Sequence, residues 1–147
     1  YDAANRLHVR WRNWLGGARD MYLSRTSDEG KTFSPARKLG NGTWPLNACP
    51  MDGGAVASAR GVITTFWRRE NTMYLARVSG ADASETKVGN GQQGWVAATP
   101  KGTYLVWLRG RSGSPLLAST PKITTPTILA DTAQNPMIAA GTDSSPT

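Results

Sequence analysis

Hydrophobic and polar residues alternate along this chain in short runs, and no run keeps a helical period. "HVRWRN" (His8–Asn13) alternates as a half-buried strand does, which predicts Leu7, Val9 and Trp11 on one side. Similar runs, rich in β-branched and aromatic residues, are parted by Gly, Asn, Pro and Ser. That punctuation predicts many short strands joined by tight turns.

The runs repeat in phase. "MYLSRTSD" (Met21–Asp28) returns as "MYLARVSG" (Met73–Gly80), 52 residues later, and "LGNGTW" (Leu39–Trp44) returns as "VGNGQQGW" (Val88–Trp95). A small, apolar pattern reads "GAVAS" (Gly54–Ser58), "WVAAT" (Trp95–Thr99) and "MIAAG" (Met137–Gly141). A fourth pattern centres on Trp11, Trp67 and Trp107, and its distance from the small pattern is 11 residues both times, from Val56 to Trp67 and from Val96 to Trp107. Each unit thus holds four segments: A (small), B (with the Trp), C ("MYL") and D. Four strands in about 40–50 residues is the period of a β-propeller blade, with the small A strand innermost, where space is short. The expectation is an all-β chain of about three four-stranded blades, half of a six-bladed propeller. Their spans are about 1–48, 49–92 and 93–141, followed by a polar tail at 142–147. A sandwich and a β-solenoid are the competing all-β readings.

Antiparallel succession sorts the loops onto two ends. One end receives "ASARG", "TPKG" and "SDEGKTF". The other collects Arg12, Arg19, Arg68, Arg69, Arg109 and Arg111 with Asp20, Asp52 and Glu70, and also Asn13 and Asn47. Six arginines against three carboxylates make an electropositive mouth, where Trp14, Trp44 and Trp95 are candidate stacking platforms. Planar guanidinium forks suit carboxylates and phosphates. Asp52, at the start of the second A segment, is the acid/base candidate, and Glu70 is a second carboxylate beside Arg68 and Arg69. Arg12, Arg19, Arg68, Arg109, Trp44 and Asn47 are the candidate substrate contacts. Tyr22, Tyr74 and Tyr104 lie within strand patterns and read as packing aromatics.

"TSDEGKTF" (Thr26–Phe33) reads as a hairpin turn tied to itself. Gly30 can take positive φ, the Asp28 carboxylate can accept backbone N–H groups, Thr32 adds a hydroxyl, and Phe33 is expected on an apolar layer. The pattern Thr26-x-Asp28-x-Gly30-x-Thr32-Phe33 resembles the Asp-box, or BNR repeat, of sialidase-type propellers, and "RNWLGGARDMYLSRTSDEGKTF" and "NACPMDGG" look like bacterial sialidase-like proteins of that kind. The resemblance implies that these five residues are structural and lie away from the active end. It also implies an exo-α-sialidase-like glycosidase acting on acidic glycans, with a Tyr nucleophile activated by a Glu, an Asp acid/base and three Arg on the substrate carboxylate. The Arg-Ile-Pro signature of the family is absent, and no Tyr–Glu nucleophile is recognisable. A non-catalytic propeller that binds glycan or protein is the alternative.

The net charge is +7, from 12 Arg and 5 Lys against 10 acids, without a dense basic run or a nucleic-acid module. The expected partner is an anionic carbohydrate, neither nucleic acid nor membrane, with no cofactor and no metal. No apolar run of about 18 residues exists. The resemblance implies a secreted or cell-surface place, though no signal segment opens the chain. His8 has no recognisable partner, and the single cysteine, Cys49, reads as a small buried hydrophobe. The order BCD-ABCD-ABCD-A, opening on Tyr1, suggests a piece of a longer chain. Two copies completing one ring, each lending Pro136–Gly141 to the other, is the alternative.

Overall fold

The computed structural model describes residues 1–123 and 125–141. Among these residues there is no helix, and the chain is all-β, built of three antiparallel sheets of three or four strands. The first sheet holds β1 (Leu7–Arg12), β2 (Met21–Thr26) and β3 (Arg37–Lys38). The second holds β4 (Ala55–Ala59), β5 (Val62–Arg69), β6 (Thr72–Val78) and β7 (Glu85–Asn90). The third holds β8 (Gln92–Thr99), β9 (Gly102–Leu108), β10 (Leu116–Ser119) and β11 (Thr127–Ala130). Strands neighbour one another in chain order throughout, so each sheet is a simple meander, and the sheets do not close into a barrel. The turn between β4 and β5 shows why so little connection is needed: Arg60 and Gly61 both adopt positive φ, as a two-residue hairpin of type I′ requires.

The sheets stack face to face. Met21, Leu23 and Leu39 of the first meet Ile63, Trp67 and Ala76 of the second. On its other face the second sheet presents Ala55, Phe66 and Met73 to Val96, Leu105, Trp107 and Leu117 of the third. Trp67 and Trp107 therefore each face the preceding sheet, and both are almost wholly buried. The Trp107 indole N–H is satisfied by the carbonyl of Asn90 at 3.1 Å. Close approach depends on Gly94, where a Cβ would run into Phe66 and Met73.

The first strand keeps the expected alternation, with Leu7, Val9 and Trp11 on one face. Register pairs Leu7, Val9 and Trp11 with Thr26, Ser24 and Tyr22, on the face turned away from the second sheet. His8, Arg10 and Arg12 share the other face with Met21 and Leu23, and they fill the seam instead. Trp11 stands where Trp67 and Trp107 stand in their sheets, but no sheet of the described residues covers it, and it is only half-buried. Its stack on Tyr22, at 6.0 Å, matches that of Trp67 on Tyr74 at 6.3 Å. Pro136–Gly141 forms no strand, contrary to the A pattern, and its Met137 is exposed. The tail at 142–147 lies outside the described residues.

The Thr26–Phe33 hairpin closes on itself as its residue types predict. The Thr26 hydroxyl donates to the Asp28 carboxylate at 2.6 Å, and the Thr32 N–H and hydroxyl donate to it at 2.9 and 2.5 Å. Gly30 takes φ +90° and donates its N–H to Thr26 Oγ1. Phe33 is the exception, half-exposed rather than seated on an apolar layer. The hydrogen bonds from Thr26 and then Thr32 lower the Asp28 pKa from 3.8 to about 2. A depressed carboxylate contributes stability that is complete above its unfolded pKa and is lost as pH falls through the folded value. Hairpin protection, read by amide exchange at Gly30 and Thr32, is expected to hold above pH ~4 and fall toward pH ~2. Asp28→Asn is expected to abolish that dependence.

Candidate functional site

The ends of β1, β5 and β9 and the starts of β4 and β8 converge on one side of the molecule, opposite the Thr26–Phe33 hairpin. Asp52, just before β4, is the point where all three sheets meet. Its carboxylate lies 3.0 Å from Arg68 Nε, off the hydrogen-bond line, and 4.0 Å from Arg12 Nη2. It accepts the N–H of Gln93 at 3.2 Å. The last contact is made by a bulge at the start of β8, where Gln93 takes φ +53°. The same bulge turns Trp95 outward. Asp52 Oδ1 is buried without a hydrogen-bond partner among the described residues.

The arginines around it are braced on backbone carbonyls. Arg12 donates to the carbonyls of Arg19 and Arg68, both at 2.8 Å, and so ties the first sheet to the second. Arg68 donates to Gln92 Oε1 at 2.8 Å and to the Pro50 carbonyl at 3.4 Å, tying the second to the third. Arg10 crosses the seam between the first and second sheets to the Gly53 carbonyl. Gly54 makes room for it: φ there is +69°, and a Cβ would strike Arg10 and the Phe66 carbonyl. Burial lowers the pKa of Arg10, with repulsion from Arg12 second. Burial also lowers that of Arg12, partly opposed by Asp52. Trp44 is buried beneath the Arg12 and Arg68 guanidinium groups, 5.1 and 5.3 Å from its ring centroid.

The remaining candidates fall at different depths. Arg19 lies over the exposed Trp14 at 4.6 Å and donates to the Leu46 carbonyl, while Asn47 and Arg109 are exposed. Glu70 occupies the exposed β5–β6 turn at φ +55°. Asp20 is buried with Thr43, Trp44 and Lys38 around it. Burial raises its pKa, but those hydrogen bonds outweigh burial and hold it low. Arg69 makes a fork-to-fork pair with Glu85, 2.7 Å at both arms, over the Tyr74 ring. The Glu85 hydrogen bonds raise the Arg69 pKa. Tyr104 lies within β9. Cys49 is exposed, not buried, because the loop before β4 runs over the surface. His8 has a partner after all: its Nε2 meets Asp2 at 2.8 Å.

Two pockets flank the Asp52–Arg68 pair. One, of 420 Å³, is bordered by Asp52, Gln93, Trp95 and Asn135, with Met51 and Met137 at its rim. The other, of 370 Å³, is bordered by Arg68, Arg109 and Arg111 with Asn71, Asn90 and Gln92, and among the described residues no carboxylate lines it. The first offers one aromatic face, one carboxylate and two amides, which is chemistry for a polar ring. The second offers three cations and three amides, which is chemistry for an anion. Gln92, Gln93, Asn135 and Glu85 were not singled out from the sequence. Only the "GNGQQGW" repeat hinted at the glutamines, through their place next to a recurring Trp. Among the described residues no three His, Cys, Asp or Glu side chains cluster as metal ligands would.

No protein-family model matches this chain, and no curated protein sequence matches it.

Removing Asp52 leaves two largely buried guanidinium groups without their counter-charge, a loss that costs about 3–5 kcal/mol when a buried pair is broken. Asp52→Ala is expected to lower unfolding stability by that order in urea titration. Glu70→Ala, in an exposed turn, is expected to change it by less than about 0.5 kcal/mol.

Proposed function

We propose that this chain forms consecutive blades of a sialidase-like β-propeller and that its Asp52 end binds an acidic glycan. The observation that carries this reading is the pairing of an aromatic-and-amide pocket with an all-cationic one across a single ion pair. A sugar ring rests on Trp95 beside Asp52, Gln93 and Asn135. The acidic substituent, or a neighbouring acidic residue of the same chain, lies against Arg68, Arg109 and Arg111. Arg109 and Arg111 are exposed and supply attraction that salt screens, whereas Arg68 is fixed by Gln92 and Pro50 and supplies direction.

Binding is favoured over turnover because Tyr22 and Tyr74 are stacked on tryptophans and Glu70 stands apart in an exposed turn. Hydrolysis remains a second reading on one observation: the Asp52 carboxylate borders the pocket that would hold the ring. Calorimetric titration with sialyl and uronyl oligosaccharides is expected to show saturable binding, weakened at least tenfold in Arg109→Gln/Arg111→Gln and in Trp95→Ala. Equal affinity for neutral oligosaccharides of the same length would overturn the reading. If the chain also hydrolyses, release of a reporter from an acidic glycoside is expected to vanish in Asp52→Asn.

The propeller reading rests on repetition. Each sheet meanders in chain order, each B-strand Trp faces the preceding sheet, and the Trp11–Tyr22 face of the first sheet lacks such a cover. A further sheet of a longer chain, or of a second copy, packs on that face in this proposal. The 147-residue chain alone is then expected to associate through it, giving masses above 15.8 kDa by light scattering. Trp11→Asp is expected to restore the monomer.

A further inference from the structure

At the opposite end of the seam between the first two sheets lies a cleft of 520 Å³ that the glycan reading does not use. Its walls carry Arg6, His8, Arg25 and Arg37, and its floor is apolar, with Leu23 and Ile63. Among the described residues no carboxylate lines it. Asp2 stands behind the wall, its side chain 1% exposed, and it is spent on Arg6 at 2.7 Å and on His8 at 2.8 Å. Arg37 is braced on the carbonyls of Gly80 and Ala81 and lies near Asp82, outside the cleft. Arg25 pairs with His8 across β1 and β2, shares its face, and has no ion pair among the described residues.

His8 supplies an independent sign of a missing partner. Its side chain is only 9% exposed, and its Nε2 is engaged by Asp2. Nδ1 is buried with no hydrogen-bond partner among the described residues. Nε2 donates to the Asp2 carboxylate, so Nδ1 donates to an anion when the ring carries its second proton. Buried polar atoms are almost always paired, so an orphan beside a cationic cleft points to a group that the described residues do not provide. Cations gathered on low-dielectric walls also focus a positive potential that draws in an anion.

We infer that this cleft is a second anion site, built for the sulfate or phosphate group of a small ligand and held chiefly by Arg25 with His8 and Arg6. Ser24 and Ser34 border the same space, the Ser24 hydroxyl already donating to the Ser34 carbonyl, and the apolar floor accepts the body that carries the anion. The site is independent of the glycan face, since no residue is shared between them.

The chain contains one histidine, so the imidazole signals of His8 report on this cleft alone. Titration with inorganic sulfate and with inorganic phosphate, at ionic strength held constant by sodium chloride, is expected to shift those signals saturably. Arg25→Gln is expected to weaken the response at least fivefold. Lys101→Gln, which removes the same charge from an exposed turn of the third sheet, is expected to leave it unchanged. A tenfold preference for one anion would identify the ester class. A linear, unsaturable shift, or equal weakening by the two variants, would overturn the proposal and reduce the effect to general charge screening.

Discussion

The alignment of the three sheets at the Asp52 end hangs on the contact of one carboxylate, Asp52, with two guanidinium groups drawn from different sheets. The sheets are only meanders of short strands, and their apolar faces hold them together without fixing how their ends align. Burial is non-directional, so Trp67 and Trp107 can supply cohesion but not register between sheets. Arg12 and Arg68 supply it. Arg12 reaches across one seam to the Arg68 carbonyl, Arg68 reaches across the other to the Gln92 side-chain amide, and each shares Asp52. Trp44 closes the underside of both cations. Charges of this kind are costly to bury, and the cost is met because every arm but the Nε atoms of Arg12 and Arg68 finds an acceptor or an aromatic face.

The strands and their phase were legible because the chain repeats. Trp11, Trp67 and Trp107, with "MYL" after the first two, mark equivalent strands, and alternation places the loops on the correct ends. The first strand kept its alternation but marks the limit of that signal. Alternation says only that Leu7, Val9 and Trp11 share a face; it cannot say which face has a neighbour. Polar side chains at His8, Arg10 and Arg12 fill the seam because they reach carbonyls and Asp2 and Asp52, which lie in irregular segments. Pro136–Gly141 has the composition of an inner strand, yet among the described residues only Ala140 forms a bridge and no strand develops. Composition records an aptitude, and pairing needs an edge.

The site was legible in part for the same reason. Arg68, Arg109 and Asp52 are visible as chemistry at strand ends. Gln93 and Asn135 enter only through a bulge and a surface loop, neither of which has a periodic signal. Trp44, a candidate platform by position, is covered by the arginines that flank the site. The two ends of the sheets differ in how they treat polar groups. The Thr26–Phe33 hairpin satisfies Asp28 within itself and leaves nothing over. The Asp52 end ties its strands together and still leaves an orphan carboxylate oxygen and three cations around open space.

A double-mutant cycle between Asp52 and Arg68, read as unfolding free energy for wild type, Asp52→Ala, Arg68→Met and the pair, tests the central claim most directly. The account predicts a coupling free energy of at least about 1.5 kcal/mol, with the double variant much less damaged than the two single losses combined. Additive losses, with coupling within about 0.5 kcal/mol of zero, would contradict it and leave hydrophobic stacking alone to align the sheets.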